Sequence, residues 1–324
     1  MQVSRSGSKV HVLPIRGRVS PQTQGDRLQR TARAATRIAA FTLLLGARLA
    51  VGQSIPRMLE SDVRNSVGDA WDIWTSPLRG RPADWLAAAG SLALTAAVSP
   101  IDDRVDRWAF RHRDDKNFSA LDGLREGGVA FSGRTITPVA AGALVLALAT
   151  RNERIQEGLF GCLTAYGASS AVRTFVVYPL VARTRPDSGH SGIPSTPAKS
   201  GDQYKISFPG TSNWGRHSFP GGHVTNVVAC AEFLTRRFSM GPVIEPVIWA
   251  VVGGVALGRT LDRRHWTSDE VIGAVFGYAV GKQMAIRSAR RAGHAPAVHT
   301  RDEKSGAFIG PSATGVRLGW RRAF

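Results

Sequence analysis

Six apolar runs, at about 84–99, 135–150, 156–182, 222–236, 242–258 and 268–287, set the terms for any fold this chain adopts. They are too long for ordinary strands, and none alternates apolar with polar residues, so the body of the chain is expected to be helical. Gly and Ala recur inside the runs, which suits closely packed helices. Several runs also carry an ionisable residue, among them Asp84, Arg173, Glu245 and Lys282. That makes them marginal as membrane spans on length and charge, so six membrane helices and a soluble bundle both fit the pattern. The fold class that follows is an all-α six-helix bundle, with membrane embedding favoured over a soluble form.

Net charge decides less than its size suggests. The chain of 324 residues carries a formal charge of +18, but residues 1–53 hold nine Lys/Arg against one Asp and residues 288–324 hold seven against two acids. The stretch 54–287 is nearly balanced, with 26 basic and 21 acidic residues. Basic tails of this kind suit solvated or membrane-facing ends and do not make a base-reading surface, so no nucleic-acid partner is expected. The same division gives three regions: a basic leader over 1–53, a helical domain over 54–287 and a basic tail over 288–324, with the tails expected to be disordered. Within the leader, Ile38–Ala47 is a short apolar segment preceded by Arg33 and Arg37 and followed by Ala50 and Gly52. That is the layout of an export signal or an uncleaved anchor.

Other features have plain structural readings. Cys162 and Cys230 lie in Ala-rich runs and read as small core residues; with no CxxC there is no zinc ribbon. Asp102, Asp103, Arg104 and Asp106 read as a solvated, charged connection. Residues 187–217 form a long polar segment rich in Gly, Ser and Pro, and loops of that length inside compact domains are usually functional or mobile.

Three segments concentrate Arg and His at the ends of apolar runs. Tyr178-Pro-Leu-Val-Ala-Arg183-Thr-Arg185-Pro186 closes the third run, Ser218-Phe-Pro220-Gly221-Gly222-His223 opens the fourth, and Gly258-Arg259 is followed by His265 and Asp269 at the start of the sixth. His265 and Asp269 are four residues apart, a spacing that puts both on one helical face. A carboxylate on one imidazole nitrogen makes the other a better base or nucleophile. Gly221 and Gly222 lead into a helix whose first amides lack partners, a place where an anion can approach the backbone. Arg185 and Arg259 offer planar forks for phosphate oxygens. Alternate helix directions would return all three segments to one end of a bundle.

In these three ordered motifs the chain resembles the type 2 phosphatidic acid phosphatase and vanadium haloperoxidase superfamily, whose signature runs Lys-x6-Arg-Pro, Pro-Ser-Gly-His and Ser-Arg-x5-His-x3-Asp. The resemblance covers about 83–287. It implies that His265 attacks phosphorus, Asp269 orients it, and His223 protonates the leaving alcohol. It further implies that Arg185 and Arg259, with the Gly221–Gly222 turn, hold the phosphoryl oxygens. No metal or other cofactor is implied; vanadate would serve only if the chain were a haloperoxidase. Three positions depart from the signature: Tyr178 stands for Lys, Gly221 for Ser and Gly258 for Ser. Tyr178 and Arg183 are further candidate phosphate contacts, Arg183 as the cation that replaces the missing Lys.

The function expected is hydrolysis of phosphate monoesters or lipid (di)phosphates through a phosphohistidine, in a bacterial-type cell membrane with the site on the exported side. The alternatives are a soluble, periplasmic or secreted acid phosphatase, a vanadate-dependent haloperoxidase, or a weakened binder of anions or lipid head groups. His190, His217, Trp214 and Trp266 flank the motifs. The histidines read as solvated, and the tryptophans as packing or the wall of a substrate entrance.

Overall fold

The computed structural model describes residues 55–124, 152–187, 197–211, 213–293, 305–312 and 315–322, with a few further positions between 141 and 149. The chain divides into two units, 1–47 and 48–324. The first unit and its signal-like segment lie outside the described residues, as do most of the run at 135–150 and His190.

The second unit is an all-α bundle. Its helices are α1 (Ile55–Thr75), α2 (Pro82–Val98), α3 (Asp102–His112), α4 (Glu153–Val172), the short α5 (Tyr178–Leu180), α6 (Gly222–Phe238), α7 (Gly241–Leu261) and α8 (Thr267–Arg291). Five of the apolar runs therefore became helices. α4 starts where Asn152 Oδ1 accepts the amides of Arg154 (3.0 Å) and Ile155 (3.2 Å), an N-cap that satisfies otherwise orphaned donors. α6 ends at Ser239 in the left-handed region, and Gly241 (φ +81°) and Pro242 open α7.

α6 is the central element. It packs on α4, α7 and α8. Mostly small side chains fill the space between them: Cys162, Ala165 and Ala168 of α4, Ala229 and Phe233 of α6, and Val280, Met284 and Ala285 of α8. The closest approach is between α6 and α8. Gly273, Gly277 and Gly281 form a stripe at four-residue spacing, and a Cβ on any of them would strike the carbonyl oxygen of Gly221, Thr225 or Ala229 in turn. Only glycine lets the two backbones lie this near each other. Because α6 and α8 run in the same direction, the stripe brings their N-termini side by side. The C-terminal ends of α4 and α7 arrive at the same end of the bundle.

Three sequence expectations are corrected. Cys162 and Cys230 are in the core, but they are joined as a disulfide that ties α4 to α6. The acidic run at 102–106 is not a solvated face: Asp102 and Asp106 are buried on α3, which is amphipathic, and they pair with arginines from elsewhere. In the basic tail, β3 (Ser305–Ser312) pairs antiparallel with β4 (Gly315–Arg322). The only other strands among the described residues are the two-residue β1 (Ala182–Arg183) and β2 (Ile206–Ser207), also antiparallel.

Among the described residues, two helical stretches are long and apolar enough to cross a membrane, Pro82–His112 and Gly241–Leu261. Only 6% and 17% of their apolar windows are buried. Neither apolar window is therefore buried in the core of the bundle. Trp85, Leu86, Leu92 and Leu94 of α2 and Val243, Ile244, Val247 and Val251 of α7 face outward, an apolar surface of the kind that marks contact with lipid or another apolar partner.

Candidate active site

The end of the bundle where α4 and α7 finish and α6 and α8 begin collects the residues singled out in the sequence. His223 and His265 have ring centroids 6.0 Å apart. His223 is in the first turn of α6 and half-buried, whereas His265 sits just before α8 and is 3% exposed. Two helix N-termini converge here, and both direct the positive end of the backbone dipole at this space.

His265 is fixed by its backbone surroundings. Its Nδ1 lies 2.7 Å from the carbonyl oxygen of Ser218, so Nδ1–H donates there and the lone pair of Nε2 is left for other chemistry. The orienting group expected from the spacing, Asp269, reaches His265 only at one remove. Its carboxylate accepts from Ser218 Oγ (2.5 Å), Arg183 Nη1 (2.5 Å) and the Trp266 amide (3.1 Å). The direct contact fails because α8 begins at Thr267: His265 precedes the helix, and Asp269 caps it instead. Burial pushes the Asp269 pKa up, and Arg183, Ser218 and the Trp266 amide pull it back.

Arg183 is corrected likewise. It is 3% exposed and spends its donors on Gln203 O (2.9 Å), Ser268 Oγ (2.8 Å), Asp269 and Asp102 Oδ2 (2.8 Å). It braces the site and does not replace the missing Lys. Asp102, in turn, accepts the amide of Ser268 (2.9 Å). A second clamp, Asp106 with Arg263 (2.6 and 3.0 Å), holds the next loop, where Arg263 also reaches Pro186 O (3.2 Å). The signal for both clamps was the acidic run at 102–106, read as solvated because its partners are 81 and 157 residues away.

Arg185 is buried beside β1 and donates to the carbonyl of His217 (3.1 Å). Burial pushes its pKa down to about 10, with Asp187 opposing. Arg259 closes α7 and pairs with Asp262 (2.9 Å). Tyr178 stacks on His217, ring centroids 4.2 Å apart, and so supports the wall that receives Arg185. Trp266 is 1% exposed, with its indole N–H on Thr184 O (2.7 Å); it is core and not an entrance. The Trp214 side chain lies outside the described residues.

The glycine turn is asymmetric. The Gly221 amide donates to Asp269 O (2.8 Å), which bolts the turn to α8 and removes that amide from any anion cradle. Gly222 matters for a different reason: a Cβ there would run into Nη1 of Arg173. Arg173, which the sequence reading passed over as an ionisable residue in an apolar run, lies where α4 passes into a π-helical turn, Arg173–Val177. Such turns are frequent at functional sites. Its side chain is 8% exposed and bonds Ser170 Oγ (2.8 Å) and Asn226 Oδ1 (3.3 Å). It meets no carboxylate among the described residues, and burial holds its pKa down.

The electrostatics follow from this crowd of guanidiniums. His265 is pushed well below the ordinary imidazole range by burial, then by Arg185, His223 and Arg259. His223 is pushed down by burial, then by Arg259, Arg173, Arg185 and Arg264. A further cation among these guanidiniums is unfavourable, which biases both rings toward the neutral form.

Residues 158–291 match the PAP2 superfamily. The match covers 134 of the 324 residues, from within α4 to the end of α8. It contains every residue of the site except the α3 clamps. No curated protein matches the chain. A solved structure, the first transmembrane PAP2 type phosphatidylglycerolphosphate phosphatase from Bacillus subtilis, aligns over 60% of this chain and 90% of its own, with 15% identity and a TM-score of 0.41.

Proposed function

We propose that this chain is a PAP2-type lipid phosphate phosphatase working through a phosphohistidine on His265. The observation that carries the reading is the pair of imidazoles 6.0 Å apart, one with its Nδ1–H committed to Ser218 O, beside an arginine-lined turn. In the first step Nε2 of His265 bonds to phosphorus and the P–O ester bond breaks. His223 gives its proton to the departing alkoxide oxygen. In the second, a water oxygen attacks phosphorus, His223 takes the water proton, and the P–N bond breaks to release phosphate. Arg173, Arg185, Arg259 and the Gly222 amide stabilise the equatorial oxygens, whose charge is greatest in the transition state.

The low pKa values suit this cycle. A neutral His265 is the nucleophilic form. His223 must be protonated to act as acid, and an incoming phosphate dianion supplies the reason: it offsets the arginines and raises the pKa of the neighbouring ring. The exposed apolar faces of α2 and α7 support membrane association and a lipid-linked substrate. The Cys162–Cys230 disulfide, a bond that persists in oxidising compartments, supports a site on the exported side.

The test is turnover of phosphatidate, undecaprenyl diphosphate and p-nitrophenyl phosphate by the purified full chain. Wild type is expected to release phosphate and to yield an acid-labile label on His265. His265→Ala should lose at least about 1,000-fold in rate, in line with the large losses seen when a covalent nucleophile is removed. Equal rates for the two proteins would refute the mechanism.

A further inference from the structure

Glu270 has no part in the cycle just described, yet it stands at its edge. It is the fourth residue of α8 and is 7% exposed. Neither carboxyl oxygen has a hydrogen-bond partner. An ionised carboxylate left in that condition is strongly disfavoured, and protonation relieves it. Burial, with Asp269 adding to it, raises the pKa to about 8.

Its position is unusual in a second way. Oε2 lies inside van der Waals contact of the point where a Cβ on Gly221 would be, and Cδ is 3.0 Å from that point. The carboxyl thus occupies the space of a side chain at 221, one residue before the Gly222–Arg173 contact and two before His223. The charged groups around it come from several elements. Asp269 is on its own helix, Arg259 comes from α7 and Arg185 from the segment after β1. α4 contributes Arg173 across the glycine turn. On α3, Asp102 is committed to Arg183 and Ser268.

We infer that Glu270 presents its acid O–H to a phosphoryl oxygen in the site, in the place where a serine at 221 would offer its hydroxyl. The inference rests on the phosphate-site reading above. Non-bridging phosphoryl oxygens accept hydrogen bonds, so only a donor is welcome at this point. A protonated carboxyl is a donor, and one bonded to an anion is among the stronger kinds. An ionised one would compete with the phosphoryl group for Arg259 and Arg185. Gly221 and Glu270 are then one coupled departure from the superfamily signature: the glycine leaves room, and the acid restores the hydroxyl.

Binding of inorganic phosphate to the full chain, followed by calorimetry at pH 6.5 and pH 9, tests this without turnover. Wild type should weaken at least tenfold more between the two pH values than Glu270→Gln, which keeps a donor but does not titrate. Glu270→Ala should bind about 10- to 100-fold more weakly than wild type at pH 6.5, the loss expected for one hydrogen bond to a charged group. Gly221→Ser should lose binding by its collision with Oε2. Adding Glu270→Ala to it should restore binding and give it the shallower pH dependence of Glu270→Gln. If wild type binds phosphate and Glu270→Gln follows the same pH curve, or if Gly221→Ser alone binds as wild type does, the role of Glu270 is wrong and the phosphate site stands. If wild type binds no phosphate at either pH, the site reading falls and the role of Glu270 with it.

Discussion

The two ends of this bundle are built from the same materials to opposite effect. At the end away from the histidines, arginines and carboxylates cancel: Arg237 holds Glu157, Arg287 holds Asp72 and Arg291 holds Asp69. A cavity of ≈320 Å³ there is lined by Asp62, Asp69, Gln156, Glu157 and Arg291. At the histidine end the pairing is selective. Arg183 and Arg263 are saturated by Asp102, Asp269 and Asp106, while Arg173 is buried with neutral partners only. An arginine count would not tell these ends apart. What distinguishes the histidine end is Arg173, a buried guanidinium that meets no carboxylate among the described residues, next to paired charge that keeps it in place.

The strongest way to break this contrast is to remove a brace. Arg183→Ala leaves Asp102 and Asp269 buried without their counter-ion and is expected to cost about 3–5 kcal/mol in denaturant unfolding. At the far end, Arg287→Met should cost at most about 1 kcal/mol, because both partners are partly exposed, and should leave turnover intact. A similar cost for the two variants would erase the distinction.

A second comparison sharpens it. Arg173→Met should weaken phosphate binding by about 10- to 100-fold, matching the roughly 1.5–3 kcal/mol of a hydrogen bond to a charged group. Its melting temperature should hold or rise, since a desolvated cation has gone. A variant that melts earlier but binds phosphate normally would make Arg173 a structural residue.

The pH dependence of stability provides a smaller effect. His265 titrates near 6.5 when unfolded and well below that when folded. As pH falls below about 6.5 the unfolded chain binds a proton that the native state refuses, so stability drops by up to about 1.4 kcal/mol per pH unit from this group. His265→Asn should flatten the acid limb of the unfolding curve by that amount. An unchanged limb would mean that His265 is not held neutral.

The helices and the meeting of the three motifs were legible in the sequence, because run length and spacing along one element are local properties. What the spacing could not carry was partner choice. The four-residue step from His265 to Asp269 suggested a direct bond, but the helix boundary fell between them and Ser218 took the place of the carboxylate. Asp102 and Asp106 looked like surface charge because nothing near them in the chain names Arg183 or Arg263. Glu270 was invisible for the same reason: its meaning lies in the vacant side of Gly221, on another helix. The cysteines were placed correctly in the core, but their bond depends on the alignment of α4 with α6.

The glycine stripe of α8 works as a gauge block. Since backbone meets backbone along it, the two helix N-termini are held at one spacing, and His223 in the first turn of α6 and His265 just before α8 are carried with them. With that spacing held, the proposed phosphatase chemistry leaves substrate choice to the rim, around Tyr178, His217 and the segment before Ser218.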